Sequence, residues 1–444
     1  MMKRGVKNIL FQGCTGSGKT ITTSYMIKRA VDKGSTVHFV VPRKQLLKQT
    51  YKTFDKFGIR HSFIASGQPY NNYSSAHICS TQTLKNRLSI IKPPKLVFWD
   101  ELHFGGTMND KVMDWYKSHG AWVVGMSATP WRLSGEGLGK WMDGMVQGPS
   151  MADLIMMKRL SDYKLFGVSN PDLSGVATSA GDYAKGQLSE CMESNTALTG
   201  DAVEHYIKHA RGKLNVAFCV SIKHSEDVAQ AFRDKGVPAS AIHGKMNDDE
   251  RKDIIMAFAR RELLVLANCE LLTFGFDLAA AADIDDVTVE SMSDLAPTKS
   301  LAKQMQKWGR VLRYKPFPAL IFDHAGNIGR FGLPCADRDW TLDDREKCAS
   351  DKEKPEFAVR QCPKCDFAHK MRPTCPNCDF VYPIQSRVIK TVEGELGELE
   401  AAVVAEKKRK ADQKQYFGLV GVARKRGHPT PEKWAQAIIR KQNA

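Results

Sequence analysis

The stretch Gly13-Cys14-Thr15-Gly16-Ser17-Gly18-Lys19-Thr20 constrains the fold more than any other part of this chain. Its Gly-x-x-x-x-Gly-Lys-Thr spacing is that of a phosphate-binding loop. The glycines let backbone N–H groups converge on an anion, the lysine reaches the terminal phosphates, and the threonine hydroxyl holds Mg²⁺. The flanks supply the strand–loop–helix context that the motif needs. "NILFQ" (8–12) reads as a short buried strand, and "TITTSYMIKRAVDKG" (20–34) as a helix that ends near Gly34. Gly13, Gly16, Gly18, Lys19 and Thr20 are the candidate nucleotide ligands.

The alternation continues. "TVHFVV", "HSFIA", "AHICS", "KLVFWD" and "AWVVGMS" read as strands, with "RKQLLKQTYKTFDKFG" and "NDKVMDWYKSHG" as helices between them. Alternating strands and helices predict a parallel sheet covered on both faces, which we assign to residues 1–150. Residues 151–196 lose the rhythm and gain Ser, Gly, Asp and Asn, and read as a connecting segment. A second α/β unit is expected over 197–335, with strands "NVAFCV", "ASAIH", "LLVLA", "DDVTVES" and "PALIFD".

Asp100 and Glu101 follow directly on the apolar run "KLVFW", which places them at the C-terminal edge of a strand, where such sheets bind ligands. One carboxylate would hold Mg²⁺ and the next would polarise an attacking water. An acidic pair at a strand end also serves to cap a following helix. With Lys19 and Thr20 upstream, the pair reads as the second half of a nucleotide site.

The order of motifs resembles that of superfamily 2 helicases of the DEAD/H-box type, with "DELH" (100–103) as the box. The resemblance covers roughly residues 5–335. It implies two tandem RecA-like parallel-sheet domains, after which the residues themselves point to a small zinc ribbon and a helical basic tail. "VVPRKQLLKQT" (40–50) resembles the motif that places Pro42 and Arg43 on the nucleic-acid backbone, and "STQTL" (80–84) adds Thr81. "SATP" (127–130) resembles the motif that couples hydrolysis to strand contact through Ser127 and Thr129. In the second unit, "FCVSIKHSE" (218–226) implies a backbone contact from Ser221. "LLTFGFDLA" (271–279) implies Thr273 on a strand phosphate, with Gly275 and Asp277 by the nucleotide. "QKWGRVLR" (306–313) resembles the last motif. Arg310 and Arg313 stand three apart on an expected helix, an arginine-finger arrangement, and Gln306 lies one turn earlier on the same face. The resemblance then implies a cleft that closes on ATP and reopens after hydrolysis, moving one grip relative to the other along the strand.

"CPKCDFAHKMRPTCPNC" gives Cys362-x₂-Cys365-x₉-Cys375-x₂-Cys378, a spacing for one closed tetrahedral Zn²⁺ site in a ribbon over 355–385. His369 lies between the knuckles and is a substitute ligand by type. The other seven of eleven cysteines are scattered, which suits a reducing interior, and the expected location is the cytoplasm, the host's if the chain is phage-encoded. No window of 18 apolar residues suits a membrane span. A net charge of +16 points to a polyanionic partner. From residue 387 onward thirteen Lys and Arg stand against seven Asp and Glu, so the tail over 386–444 is basic. That tail and the ribbon are the candidate docking points for nucleic acid or a protein partner. "DHAGNIGRFG" (323–332) followed by a ribbon resembles a subset from bacteria and their phages that includes RadD-like repair helicases, and this tips the expected substrate from RNA to DNA. Proteins of this type usually carry a glutamine ahead of the loop that reads adenine. Only twelve residues precede Gly13 and no Gln sits in the right place, so either the chain begins late or adenine is held less specifically. Weak discrimination among purine triphosphates is expected, and comparable ATP and GTP hydrolysis rates would support it. The rival readings are an RNA helicase, a duplex-DNA translocase or annealing motor that separates no strands, and a clamp without turnover. The intact Lys19, Asp100, Glu101, Arg310 and Arg313 speak against the clamp.

Overall fold

The computed structural model describes residues 4–42, 45–104, 106–132, 134–167, 171–272, 278–279, 284, 287–344, 359–383, 416, 419–421, 423 and 430–442. Met1–Tyr382 forms one compact unit and Pro383–Ala444 another, whose helix Pro431–Gln442 falls in the expected basic tail.

The first sheet has seven parallel strands in the spatial order Ser62–Ile64, Ala76–Ser80, Val37–Val41, Leu96–Trp99, Trp122–Ser127, Asn8–Gln12, Gly144–Gln147. Neighbouring residues along a strand serve opposite faces: Val40 and Trp99 join one core, Phe39 and Phe98 the other. Both faces are buried, which is why these strands read as continuous apolar runs. Since all strands are parallel, their C-terminal ends share one edge, and the ends of Asn8–Gln12, Leu96–Trp99 and Trp122–Ser127 meet there. The helix Lys19–Asp32 starts at Gly18 (φ 78°), and Gly34, at φ 75°, turns the chain away just beyond its end.

The second sheet has six parallel strands in the order Ala239–His243, Val265–Cys269, Asn215–Cys219, Ser291–Asp294, Ala319–Asp323, Tyr163–Gly167. Two expectations need correction. The stretch read as a connector supplies the edge strand Tyr163–Gly167, paired with Ala319–Asp323, so the second sheet draws on residues well before 197. It also holds a capping-box helix Met151–Met156, a short hairpin (Thr178–Ser179, Asp182–Tyr183) and the helix Lys185–Ser194. The strand expected over "DDVTVES" lies instead at Ser291–Asp294. There the polar side chains are buried and satisfied across the sheet. Ser291 Oγ donates to Asn215 Oδ1 (3.0 Å), and Asn215 Nδ2 donates to Ser293 Oγ (3.2 Å). Pairing with both neighbours overrides the β-branched propensity of Val287-Thr288-Val289.

Beyond the second sheet, the chain crosses back to the first. Arg338 donates to the carbonyls of Phe331, Leu333, Pro334 and Ala336 on the second-sheet side. Then Trp340 packs on Trp131 (ring centroids 5.2 Å), Gly139 N–H donates to Leu342 O (2.9 Å), and Gly137 N–H donates to Asp344 Oδ1 (2.8 Å). A Cβ at Gly137 would lie 2.1 Å from Leu342 O, so only glycine admits this strap.

Candidate nucleotide cleft, strand-facing edge and thiol cluster

The loop after Asn8–Gln12 is pinned to the sheet edge by Gly13 N–H donating to Ser127 O (3.0 Å) and by Gln12 Nε2 donating to Ala128 O (2.9 Å). Gly16 and Gly18 have φ of 86° and 78°, a region that other residues enter only under strain. Lys19 is buried, its ammonium donating to the carbonyls of Gly13 (2.9 Å) and Cys14 (3.2 Å). Thr20 lies in the first turn of the helix.

Asp100 and Glu101 sit at the same edge. Burial pushes the Asp100 carboxyl up to about 7, the charge of Glu101 adds to this, and Lys19 opposes it. Glu101 is likewise raised by burial, against the pull of Lys19, Arg310 and Gln306. Two adjoining carboxylates whose burial disfavours their charged form are a donor set that a divalent cation would favour in ionised form. Glu101 also adopts φ 47°, a conformation that costs a non-glycine residue about 1 kcal/mol or more.

His103, the fourth residue of the box, ties it to the Ser-Ala-Thr segment. Its Nδ1 lies 2.7 Å from Ser127 Oγ and 3.3 Å from Glu101 Oε2. Ser127 gives its hydroxyl proton to Thr129 O and accepts from Thr129 N–H (3.2 Å), so His103 Nδ1 is the donor to Ser127. Burial holds this imidazole at about 3, hence neutral. Ser127 and Thr129 are recognisable from their motif, and His103, the last residue of the box, is the side chain that links them to Glu101. Its fixed place after Asp-Glu is the signal that marks it.

The second sheet brings its helix Leu301–Val311 against the loop. A Cβ on Gly309 would lie 2.3 Å from Thr15 Cβ, so the helix backbone touches the phosphate loop directly. On the other side, a Cβ on Gly16 would lie 2.8 Å from Leu160 Cδ2. Gln306 is buried against Glu101 and favours its ionised form, while neither of its amide atoms completes a hydrogen bond of normal length. Arg310 acts on the same carboxylate, and its Nε donates to Leu272 O (3.1 Å). The expected pairing of Arg310 and Arg313 on one helix face is not what the chain does. The helix ends at Val311, Leu312 caps it, and Arg313 forms an isolated β-bridge with Leu160. A buried ion pair anchors the helix: Lys307 Nζ lies 2.8 Å from Asp294 Oδ1, and Asp294 also accepts from Gln304 (2.9 Å) and Asn327 (3.0 Å).

Among the expected strand contacts, Pro42 is half-buried at the end of its strand, and Thr81, almost fully buried, donates its hydroxyl to Val41 O (3.1 Å). Ser221 caps the helix Ile222–Asp234, accepting from His224 N–H (2.9 Å). Arg43, Thr273, Gly275 and Asp277 lie outside the described residues.

The four cysteines converge. Their sulfurs all lie within 4.8 Å of one another, with Cys362–Cys378 at 3.6 Å and Cys365–Cys375 at 3.8 Å. Thiolates about 2.3 Å from a tetrahedral centre stand roughly 3.8 Å apart, so the cluster fits one metal ion. Two matching turns build it, Cys362-Pro-Lys-Cys-Asp-Phe367 and Cys375-Pro-Asn-Cys-Asp-Phe380, so the repeat extends past the cysteines themselves. In each, the first cysteine's N–H donates to the phenylalanine carbonyl (3.0 and 2.9 Å), and the aspartate takes a left-handed φ. His369 is not a ligand: its ring nitrogens meet Lys370 O (2.6 Å) and Tyr382 Oη (2.8 Å). The ribbon rests on the second sheet through Phe367 against Phe166 and Gly167 N–H donating to Asp366 O (3.2 Å).

Among the described residues no helix is long and apolar enough to cross a membrane. Residues 1–132 match the family model of the type III restriction enzyme res subunit, and residues 199–315 match the helicase conserved C-terminal domain. A "51.5 kDa protein" of a Lactococcus phage (isolate 7-9) is 31% identical over 358 residues, 80% of this chain and 74% of that protein. The "Putative mitochondrial ATP-dependent helicase irc3" of Schizosaccharomyces pombe is 27% identical over 62% of this chain, which spans 47% of that protein. Among solved structures, a variant of Saccharomyces cerevisiae Dbp5 bound to RNA and ADP BeF3 shares the fold, with TM-score 0.50, 14% identity, and coverage of 71% and 79% of the two chains. The Type ISP restriction-modification enzyme LlaBIII bound to DNA aligns with TM-score 0.51 at 14% identity over 72% of this chain and 26% of that one. With both sheets, the phosphate loop and the arginine helix in place, the chain belongs to the superfamily 2 ATP-dependent helicases, in one family with the phage protein.

Proposed function

We propose that the protein is a DNA helicase or translocase in which ATP is hydrolysed between the two sheets and the cleft's opening and closing steps the protein along the DNA backbone. The observation that carries this reading is the seat of Gly309 on Thr15, with Gln306 and Arg310 acting on Glu101. The first sheet's phosphate-binding and carboxylate groups thereby face the second sheet's arginine within one site.

In this reading Gly13, Gly16, Gly18 and Lys19 cradle the phosphates, and Thr20 with Asp100 holds Mg²⁺, which when bound neutralises phosphate charge. Glu101 accepts a proton from the attacking water, Gln306 orients that water, and Arg310 offsets charge on the terminal phosphate. His103, Ser127 and Thr129 carry the state of Glu101 to the strand-facing surface. Pro42, Arg43, Thr81, Ser221 and Thr273 grip the backbone, which carries no base information, so sequence preference is weak. Cys362, Cys365, Cys375 and Cys378 would hold Zn²⁺, which when bound would keep the ribbon folded. The excess positive charge supports a nucleic-acid partner, and the match of residues 1–132 to a restriction-enzyme subunit supports DNA over RNA.

Steady-state ATP hydrolysis measured alone and with single-stranded DNA, duplex DNA, a forked junction or RNA tests the reading, beside Lys19→Ala. Strong stimulation by DNA and little by RNA is expected. RNA as the better activator overturns the choice of DNA, and absence of stimulation by any polymer overturns the motor.

A further inference from the structure

On the second sheet, the surface beside Ser221 is covered by the chain itself. Residues 171–195 fold over the C-terminal edge of the strands, and two of their carboxylates take up its donors. Glu193 Oε1 accepts from Ser221 Oγ (2.5 Å), and Glu193 Oε2 lies 3.4 Å from Lys223 Nζ. Asp182 is held more fully. Its Oδ2 accepts from Thr298 Oγ1 (2.8 Å) and pairs with Lys303 Nζ (2.8 Å), while its Oδ1 accepts from Lys299 N–H (2.7 Å). An ammonium, a hydroxyl and a backbone N–H converging on one anion are the groups that elsewhere bind a nucleic-acid phosphate. Burial opposes ionisation of Asp182, but Lys303, Lys299 and Thr298 outweigh it and hold the carboxyl below its usual range.

We propose that residues 171–195 are a built-in competitor for the nucleic-acid backbone, with Glu193 standing on Ser221 and Lys223, and Asp182 on Thr298, Lys299 and Lys303, where phosphates bind once the segment lifts. The inference rests on the reading of Ser221 as a strand contact. It adds Thr298, Lys299 and Lys303 as a second phosphate position. The segment is built to lift. Its apolar residues Tyr183, Leu188 and Met192 join Leu198 in a small cluster of their own, separate from the main core of the sheet. A local cluster of this kind opens at far less cost than the domain. The Glu193–Lys223 contact is largely exposed at the lysine and weak.

The test is binding of the full-length protein to a labelled single-stranded DNA across a salt series, comparing wild type with Asp182→Asn/Glu193→Gln. Release of two lysines to phosphates should tighten binding about 3- to 10-fold at low salt and steepen the slope of log K against log salt by about 0.7 per lysine. Adding Lys223→Ala and Lys303→Ala to the double variant should remove the gain. Glu193→Gln alone keeps an oxygen acceptor for Ser221, so it gives the same test at half the size if the double variant melts. Unchanged or weaker binding by the folded variant overturns the competitor, whatever its melting temperature. If wild type binds DNA and is stimulated by it while the variants gain nothing, only this inference falls. If wild type binds no nucleic acid, both it and the motor reading fall.

Discussion

The nucleotide cleft and the strand-facing edge of the second sheet treat their polar groups in opposite ways. In the cleft, buried groups are left short of partners: both amide atoms of Gln306 and the hydroxyls of Thr15 and Ser17. At the edge, Ser221, Lys223, Thr298 and Lys303 are each matched to a carboxylate of the same chain. Leaving a buried donor or acceptor unmatched costs about 1–3 kcal/mol, so the cleft keeps a standing demand for a polar ligand. At Ser221, Lys223, Thr298 and Lys303 the donors are already taken, and in the proposed reading a strand must displace what is already bound. The contrast suits a motor that takes up its abundant fuel directly and admits its track conditionally.

The contrast is broken most severely at Lys19. Lys19→Ala removes the ammonium that serves the terminal phosphates and should lower polymer-stimulated hydrolysis by about 10²- to 10³-fold in a coupled phosphate-release assay. Gly309→Ala comes next. Its new methyl group must push the arginine helix off Thr15, and a displacement of about 1 Å should cost about 10²-fold in kcat. Adding Thr15→Gly removes the atoms in conflict, so the double variant should be faster than Gly309→Ala alone. A smaller effect is expected from Ser127→Ala, which severs His103 from Thr129. Hydrolysis without polymer should persist while stimulation by nucleic acid drops several-fold, giving the split between basal and stimulated rates that distinguishes coupling from chemistry. Smallest for catalysis is Cys375→Ser. Metal content should fall to near zero and amide exchange across 359–383 should rise, with hydrolysis by the two sheets largely retained.

The phosphate loop and Asp100-Glu101 are legible in the sequence because they are local patterns at fixed spacing, and the parallel sheets are legible as doubly buried apolar runs. What the sequence hides depends on tertiary partners. Ser291–Asp294 is a strand only because Asn215 satisfies its serines, and Tyr163–Gly167 is a strand because Ala319–Asp323 offers an edge. Arg313 leaves the helix that its spacing from Arg310 suggests, since pairing with Leu160 takes over after Val311. The carboxylates on Ser221 and Lys303 come from residues at least 28 positions away in the chain, beyond any local signal. The two Cys-Pro-x-Cys-Asp-Phe turns, by contrast, stand openly in the sequence.

The proposed function requires that the two sheets build one hydrolytic site. Single-turnover hydrolysis and nucleotide binding by Arg310→Ala test it most directly, because Arg310 belongs to the second sheet and Glu101 to the first. A fall in rate of about 10³-fold is expected, with nucleotide affinity changed far less. Hydrolysis within a few-fold of wild type would contradict it, and would leave the first sheet to act alone.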